Sequence, residues 1–381
     1  MEKNYDMILQ ELDQYKTQDF NFASGHILGS MCTQPHPIAK EAYMKFLETN
    51  LGDPELFPGT KKIEEKFISF LSKILHVPNT AAGQIVGGGT ESNITAMWLA
   101  KALTRKKEII VPESAHFSFQ KIASLMDMKL IAIPLTKDYV MDIAKIKEKI
   151  STQTAAVVGI AGSTELGTID SIPELSDICS DEQLFLHVDA AFGGFVIPFL
   201  RMLHYDVPDF DFQLKGVSTI SIDAHKMGCA AIPLGTLIVR KKKWLDAISV
   251  ESHCVSSERQ AGMLGTRSGG PVAAAYAVAK YLGKEGYKDM IQKCMNTTYY
   301  AEQRIRELGL RLVTKPTMNV LGIQINRPSK LVKKLTTYGW KVNNMERMSC
   351  IRIVLMPHVT KEIIDEFIPD LKKACVEIGE L

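Results

Sequence analysis

The stretch VSTISIDAHKMG (217–228) decides the reading of this chain. Its first six residues are an apolar-rich, β-branched run without charge, which reads as a strand buried on both faces. Asp223, His225 and Lys226 follow at once, then Gly228. Similar short runs recur: GQIV (83–86), EIIV (108–111), LIAI (130–133), AAVVGI (155–160), LFLHV (184–188) and GTLIV (235–239). Helically spaced segments separate several of them, among them KKIEEKFISFLSKIL (61–75), ESNITAMWLAKALTR (91–105), DIAKIKEKI (142–150) and IPELSDICS (172–180). Strands apolar on both faces, alternating with helices, imply an α/β fold with a mainly parallel sheet covered by helices.

Residues 1–60 pair a helical start with the Gly- and Pro-rich stretches ASGHILGSMCTQPHP and LGDPELFPGT. The alternation occupies 61–285 and closes on GGPVAAAYAVAKYLG (269–283), which reads as a long buried helix. Residues 286–381 read as helix, strand (RLVTK, NVLGIQI), helix, strand (CIRIVLM), helix, a small C-terminal α+β domain.

Composition narrows the class. Hydrophobic residues are 46% of the 381 and charged residues 23%, an ordinary globular balance. Forty-five basic against 43 acidic side chains leave +2, which argues against a dedicated nucleic-acid or membrane surface. Seven scattered cysteines form no CxxC pair, so reduced thiols in a cytoplasmic protein are expected and a zinc site or disulfide framework is not. The opening MEKNYDMILQELDQY has no apolar core of a signal peptide, and AAFGGFVIPFL (190–200) is too short and too broken to span a membrane.

Chemistry concentrates just past the strands, where open α/β sheets gather ligands. Lys226 lies past VSTISI, Asp189 past LFLHV, Gly87 to Thr90 past GQIV, and His116 past EIIVPESA. A lone lysine there is usually a surface residue, and a lone aspartate a helix cap. Together they supply an amine, a carboxylate, an anion-binding loop at a helix start and a flat ring. Pyridoxal 5'-phosphate needs all four: it bonds to a lysine amine, wants its ring nitrogen kept protonated, and carries a phosphate. Ala190 and Ala191 are small enough to admit a ring beside Asp189. In GGGTESN (87–93) the spacing approaches a P-loop, but Gly89 stands where that motif has lysine, so a nucleotide site is disfavoured. His225 can reach phosphate or relay protons, His187 shares a strand face with Asp189, and Arg352 is an arginine inside an apolar strand that wants a carboxylate.

GGGTESN, AHFSF (115–119), GSTELGTID (162–170), HVDAAFGG (187–194), SIDAHKMG and GTRSGGP (265–271) resemble the group II pyridoxal-phosphate-dependent amino acid decarboxylases. GSMCT (29–33), ETNLGDPELFPGT (48–60) and IRIVLMPH (351–358) bring the chain closest to the archaeal L-tyrosine/L-aspartate decarboxylase branch. The resemblance implies the fold-type I, aspartate-aminotransferase-like architecture with a seven-stranded sheet. It implies that Lys226 bonds the cofactor, Asp189 pairs with its ring nitrogen, His116 stacks on one face and Ala191 lies near the other. Gly89, Thr90 and His225 then hold phosphate, Thr164 sits near the 3′-oxygen, and Arg352 grips the substrate α-carboxylate. Thr266 would reach the phosphate of a partner subunit, which implies a homodimer with shared active sites, the segment 1–60 contributing to both.

One departure stands out. Where the family often carries a tyrosine in a mobile SPYL-like loop, this chain has SHCV, Ser252 to Val255, with Cys254 in the tyrosine's place and His253 in the proline's, so either His253 or another group is the α-carbon proton donor. The activity implied is decarboxylation of L-aspartate to β-alanine (towards coenzyme A), of L-tyrosine to tyramine (towards methanofuran), or both. His26 is a candidate for a second substrate carboxylate, and Phe20 or Phe57 for an aromatic ring. Other fold-type I enzymes share the lysine, aspartate and phosphate loop: a carbon–sulfur lyase, an aldehyde-forming lyase or an aminotransferase. A scaffold that keeps only the fold has no need of Lys226, Asp189, His116 and Arg352 together.

Overall fold

A computed structural model describes residues 2–253 and 259–381. In chain order the elements are α1 (Glu2–Lys16), α2 (Pro37–Lys45), α3 (Pro58–Ile74), β1 (Ala82–Val86), α4 (Gly89–Thr104), β2 (Glu108–Pro112), α5 (Ser118–Met126), β3 (Lys129–Ile133), β4 (Thr154–Ile160), α6 (Ile172–Asp181), β5 (Phe185–Asp189) and α7 (Ile197–Met202). They continue with β6 (Val217–Asp223), β7 (Gly235–Val239), β8 (Val250–Glu251), β9 (Arg259–Gln260), α8 (Gly269–Glu307), β10 (Val320–Gln324), α9 (Pro328–Thr337), β11 (Asn343–Met345), β12 (Cys350–Val354) and α10 (Lys361–Ile378).

Seven strands form the main sheet in the order β1-β7-β6-β5-β4-β2-β3. From β3 to β6 every pairing is parallel, and β7 runs antiparallel to both its neighbours. Every residue of β4, β5, β6 and β7 is buried. That explains why these runs are apolar without alternation: helices cover both faces. Successive residues feed opposite cores, as a pleated strand requires. In β7, Leu237 and Val239 join Met97, Phe119 and Ile109, whereas Ile238 joins Phe67, Phe199 and Tyr287. A three-stranded antiparallel sheet, β10-β12-β11, packs its own cluster around Trp340, Ile351 and Phe367.

Three expectations change. DIAKIKEKI forms only a 3₁₀ turn at Ile143–Lys145, because Asp142 turns back to accept from the Ala144 amide and only Ile146 of this stretch is fully buried. A short segment with one buried contact gains too little packing to offset helix nucleation. RLVTK is not a strand; it touches β10 through an isolated bridge between Leu312 and Ile323. The helix expected at 269–283 runs on to Glu307, broken at Gly283 (φ 58°, ψ −167°), a conformation that glycine adopts without strain.

The loop after β4 is pinned by Asp170, which is 2% exposed. Its carboxylate accepts from the amides of Met141 and Ile160, each at 2.8 Å. Burial nonetheless pushes the carboxyl from 3.8 up to about 6. Between those values the native chain binds more protons than the unfolded chain. Stability from this group is therefore present below about pH 4 and lost as pH rises through about 6. In urea unfolding, the free-energy difference between wild type and Asp170→Asn should change by on the order of 3 kcal/mol across that window. A difference that does not vary with pH would return the native carboxyl to its ordinary value.

Candidate active site

The parallel strands β1, β2, β4, β5 and β6 all end at one edge of the main sheet, and a cavity of about 310 Å³ opens there. Its size falls in the range of small-molecule sites. Gly89, Thr90, His116 and Thr164 line it together with Asp189, Ala191, His225 and Lys226.

Lys226 sits on the turn after β6, and its Nζ lies 3.2 Å from Asp223 Oδ2. Asp223 is 2% exposed, and its Oδ1 is buried with no hydrogen-bond partner among the described residues. The motifs pass over Asp223. The signal was a charged residue closing an otherwise uncharged buried strand.

Asp189 closes β5. Its Oδ1 accepts from the Ala191 amide (3.1 Å) and from Ser221 Oγ (3.2 Å), and its Oδ2 accepts from Asn93 Nδ2 (2.8 Å). A carboxylate offers about four acceptor positions, so one more donor can be taken from the cavity. Asn93, also passed over, lies one turn into α4, and His187 lies behind it with its Nε2 2.9 Å from Asn93 Oδ1. Burial holds His187 well below its usual value, hence neutral.

Gly88 has φ +135°, and Gly89 is the first residue of α4. A Cβ on Gly89 would stand 2.9 Å from Asp223 Oδ2 and 3.1 Å from Ala191 Cβ, so only glycine leaves this approach open. The free amides and partial positive charge of the helix start suit an anion. His225 holds its Nδ1 2.7 Å from the Leu234 carbonyl oxygen, and its Nε2 lies 3.8 Å from Asp223. His116 accepts the Ser118 amide at Nδ1 (3.2 Å), which leaves the ring proton on Nε2, and burial lowers its pKa.

Arg352, on β12, is 4% exposed and does not itself line the cavity. Its guanidinium donates to the carbonyl of Thr164, to that of Gly29 (2.6 Å) and to Asn343 Oδ1 (2.7 Å). All three acceptors are neutral, and Nε is buried without a hydrogen-bond partner among the described residues. Burial accordingly pushes its pKa down to about 10. Cys32 lies within range of the Lys226 and Asp223 charges, so the GSMCT stretch borders the site; burial raises its thiol.

Other sequence candidates lie elsewhere in this single chain. Thr266 and His253 are exposed and do not line the cavity. Cys254 lies outside the described residues. His26 stacks on Trp340 at 4.1 Å with its Nε2 3.4 Å from Glu366, so a carboxylate of the chain itself already faces it. No cluster of metal-binding side chains occurs among the described residues, and none of their helices is long and apolar enough to cross a membrane.

The cavity fits pyridoxal 5'-phosphate. The glycine cradle that a Cβ would fill, the amine at Lys226, and the spare acceptor on Asp189 match its phosphate, its carbonyl carbon and its ring nitrogen. Residues 32–322 match the pyridoxal-dependent decarboxylase conserved domain. The chain is 44% identical to a probable L-tyrosine/L-aspartate decarboxylase of Methanosphaera stadtmanae, over 96% of this chain and 95% of that protein. It is 45% identical to the L-aspartate/L-glutamate decarboxylase of Pyrococcus horikoshii, over 96% of each. Among solved structures, the sphingosine-1-phosphate lyase of Burkholderia pseudomallei superimposes with a TM-score of 0.90 at 25% identity, over 99% of this chain and 91% of that one. Matches of this extent, on a chain whose cavity suits the same cofactor, place it in the pyridoxal-dependent decarboxylase family: it is a pyridoxal-phosphate-dependent carboxy-lyase acting on amino acids.

Proposed function

We propose that the substrate is L-aspartate, giving β-alanine, or L-tyrosine, giving tyramine, or both. The observation that carries an amino acid with a free α-carboxylate is Arg352: a buried guanidinium that meets only neutral acceptors, bonded to the loop that bears Thr164. An incoming carboxylate supplies the charge it lacks. The choice of these two amino acids rests on the names of the relatives, one of which adds L-glutamate.

In this reading Lys226 holds the cofactor covalently and Gly89, Thr90 and His225 hold its phosphate. His116 and Ala191 flank the ring, and Thr164 stands near its 3′-oxygen. Asp189 keeps a proton at the ring nitrogen. When bound, pyridoxal phosphate supplies the electron sink for the pair left on the α-carbon as carbon dioxide departs. Arg352 orients the carboxylate so that the bond to the departing group is the one that breaks. His253 then donates the proton to the α-carbon. Two copies pack so that His253 and Thr266 of each complete the cavity of the other. Residues 61–285 serve as the cofactor domain, 286–381 as a small domain, and 1–60 contribute to the dimer and the site. A cytoplasmic role in β-alanine supply for coenzyme A or tyramine supply for methanofuran follows from those products.

Carbon dioxide release from L-aspartate, L-tyrosine and L-glutamate, measured beside keto-acid formation, tests this directly. Release from aspartate or tyrosine is expected; keto acid without carbon dioxide would make the enzyme an aminotransferase instead. Lys226→Ala should abolish turnover and the borohydride-fixable cofactor adduct while leaving the circular dichroism spectrum unchanged. Full activity in that variant would remove Lys226 from the mechanism. Arg352→Met should lower kcat/KM by roughly ten- to hundredfold, the loss of a charge-assisted contact, mostly through KM. An unchanged KM would sever Arg352 from the substrate.

A further inference from the structure

A buried polar line, which the reaction as described does not use, starts at the cavity wall beside Asp189 and runs inward from there. It comprises Asn93, His187 and Thr219, respectively 1%, 0% and 0% exposed. We propose that this line is a one-way chain of donors that positions and polarises Asp189, with His187 locked as the neutral Nε2–H tautomer. The proposal rests on the reading of Asp189 as the partner of the cofactor's ring nitrogen.

The proton order follows from which atoms can donate. Asp189 Oδ2 lies 2.8 Å from the Asn93 side chain, and an ionised carboxylate only accepts, so the amide presents Nδ2–H. The same nitrogen lies 3.1 Å from Ser118 Oγ, an acceptor for its second proton. Asn93 Oδ1 therefore points the other way, 2.9 Å from His187 Nε2. An amide oxygen has no proton, so Nε2 must carry one. The buried ring is neutral, which leaves Nδ1 bare, and Nδ1 lies 2.8 Å from Thr219 Oγ1, whose hydroxyl donates. Each proton from Thr219 onwards thus points towards Asp189. Aligned bonds strengthen one another in a low-dielectric interior.

Tertiary structure fixes every member. His187 and Asp189 are two apart on β5 and share its face. His187 pairs with Thr219 across the parallel β5–β6 ladder. Asn93 is four residues past Gly89 on α4, so it lies on the same helix face as the residue that opens the phosphate cradle. One rigid helix therefore gauges the distance between the phosphate end and the ring-nitrogen end of the site. Among the described residues, the charge that acts on His187 is that of Asp189 itself. A neutral histidine adds donors without a cation, so the negative charge of Asp189 remains available to the ring nitrogen.

Two-bond ¹H–¹⁵N correlation spectra of ¹⁵N-histidine-labelled protein, with the His187 signal identified by its loss in His187→Gln, read the tautomer without any substrate. A neutral ring protonated at Nε2, unchanged between about pH 6 and pH 8, is expected. A proton at Nδ1, or an imidazolium at neutral pH, would overturn the proposal. Titration of the apo protein with pyridoxal 5'-phosphate supplies the second readout. Asn93→Leu should bind roughly ten- to hundredfold more weakly, whereas His187→Gln, which keeps an N–H aimed at Asn93, should stay within about threefold of wild type. Wild-type affinity in Asn93→Leu would also overturn it. Wild-type protein that takes up no cofactor, yet shows the Nε2–H tautomer, would instead overturn the role of Asp189 and leave the proton order standing.

Discussion

The parallel pairing of β4, β5 and β6 is the constraint on which the site depends. Its register sets Ile160 beside Asp189 and Asp189 beside Ser221. Parallel strands connected through helices must all finish at the same edge. Side chains from far-apart stretches of the chain therefore arrive at one place: Asp189, the Asp223–Lys226 turn, and the Gly162–Thr164 loop after β4. The antiparallel β7 serves the same edge from its first residue, where Gly235 lies against Gly88 and Asp223.

Charge is handled differently at the two ends of the cavity. At Asp189 the carboxylate is met by one backbone amide, one hydroxyl and one side-chain amide, all neutral donors. At Lys226 the partner is a carboxylate, Asp223, whose second oxygen has none among the described residues. A buried carboxylate without full compensation is expensive, and such groups cluster where chemistry needs them. Arg352 is a related case with the opposite sign: a guanidinium held by carbonyls, with no carboxylate among the acceptors of its hydrogen bonds.

Arg352 also ties the two sheets to the N-terminal stretch. It sits on β12 of the small sheet, bonds Thr164 from the loop after β4, and bonds Gly29 from the segment before α2. Leu28 and Gly29 in turn both donate to the Lys341 carbonyl, and Val354 donates to the Leu28 carbonyl. The surroundings of Arg352 are therefore built from three distant parts of the chain, and any shift between them moves Arg352 relative to Thr164.

The sheet and most of the residues that line the cavity were legible in the sequence because they are local signals. Runs apolar on both faces mark central parallel strands, and residues just past such runs fall at the ligand edge whatever the details of packing. Lys226, Asp189, His116 and the Gly87–Thr90 loop reach that edge in this way, and the family motifs add Thr164, Ala191 and His225, which line the same cavity. Asn93 and the partners of Arg352 were not legible, since their contacts span 96 and up to 323 residues of chain, whereas Asp223, three residues from Lys226, carries a local signal. The turn at 142–150 misled for the same reason: its spacing allows a helix, but only packing decides whether one forms. Sequence alone determined which chemistry the strand ends offer, because residue type and strand position are properties of short stretches. Tertiary structure alone decided which buried charges are met and which are left open, because that depends on what the folded chain brings within hydrogen-bond reach.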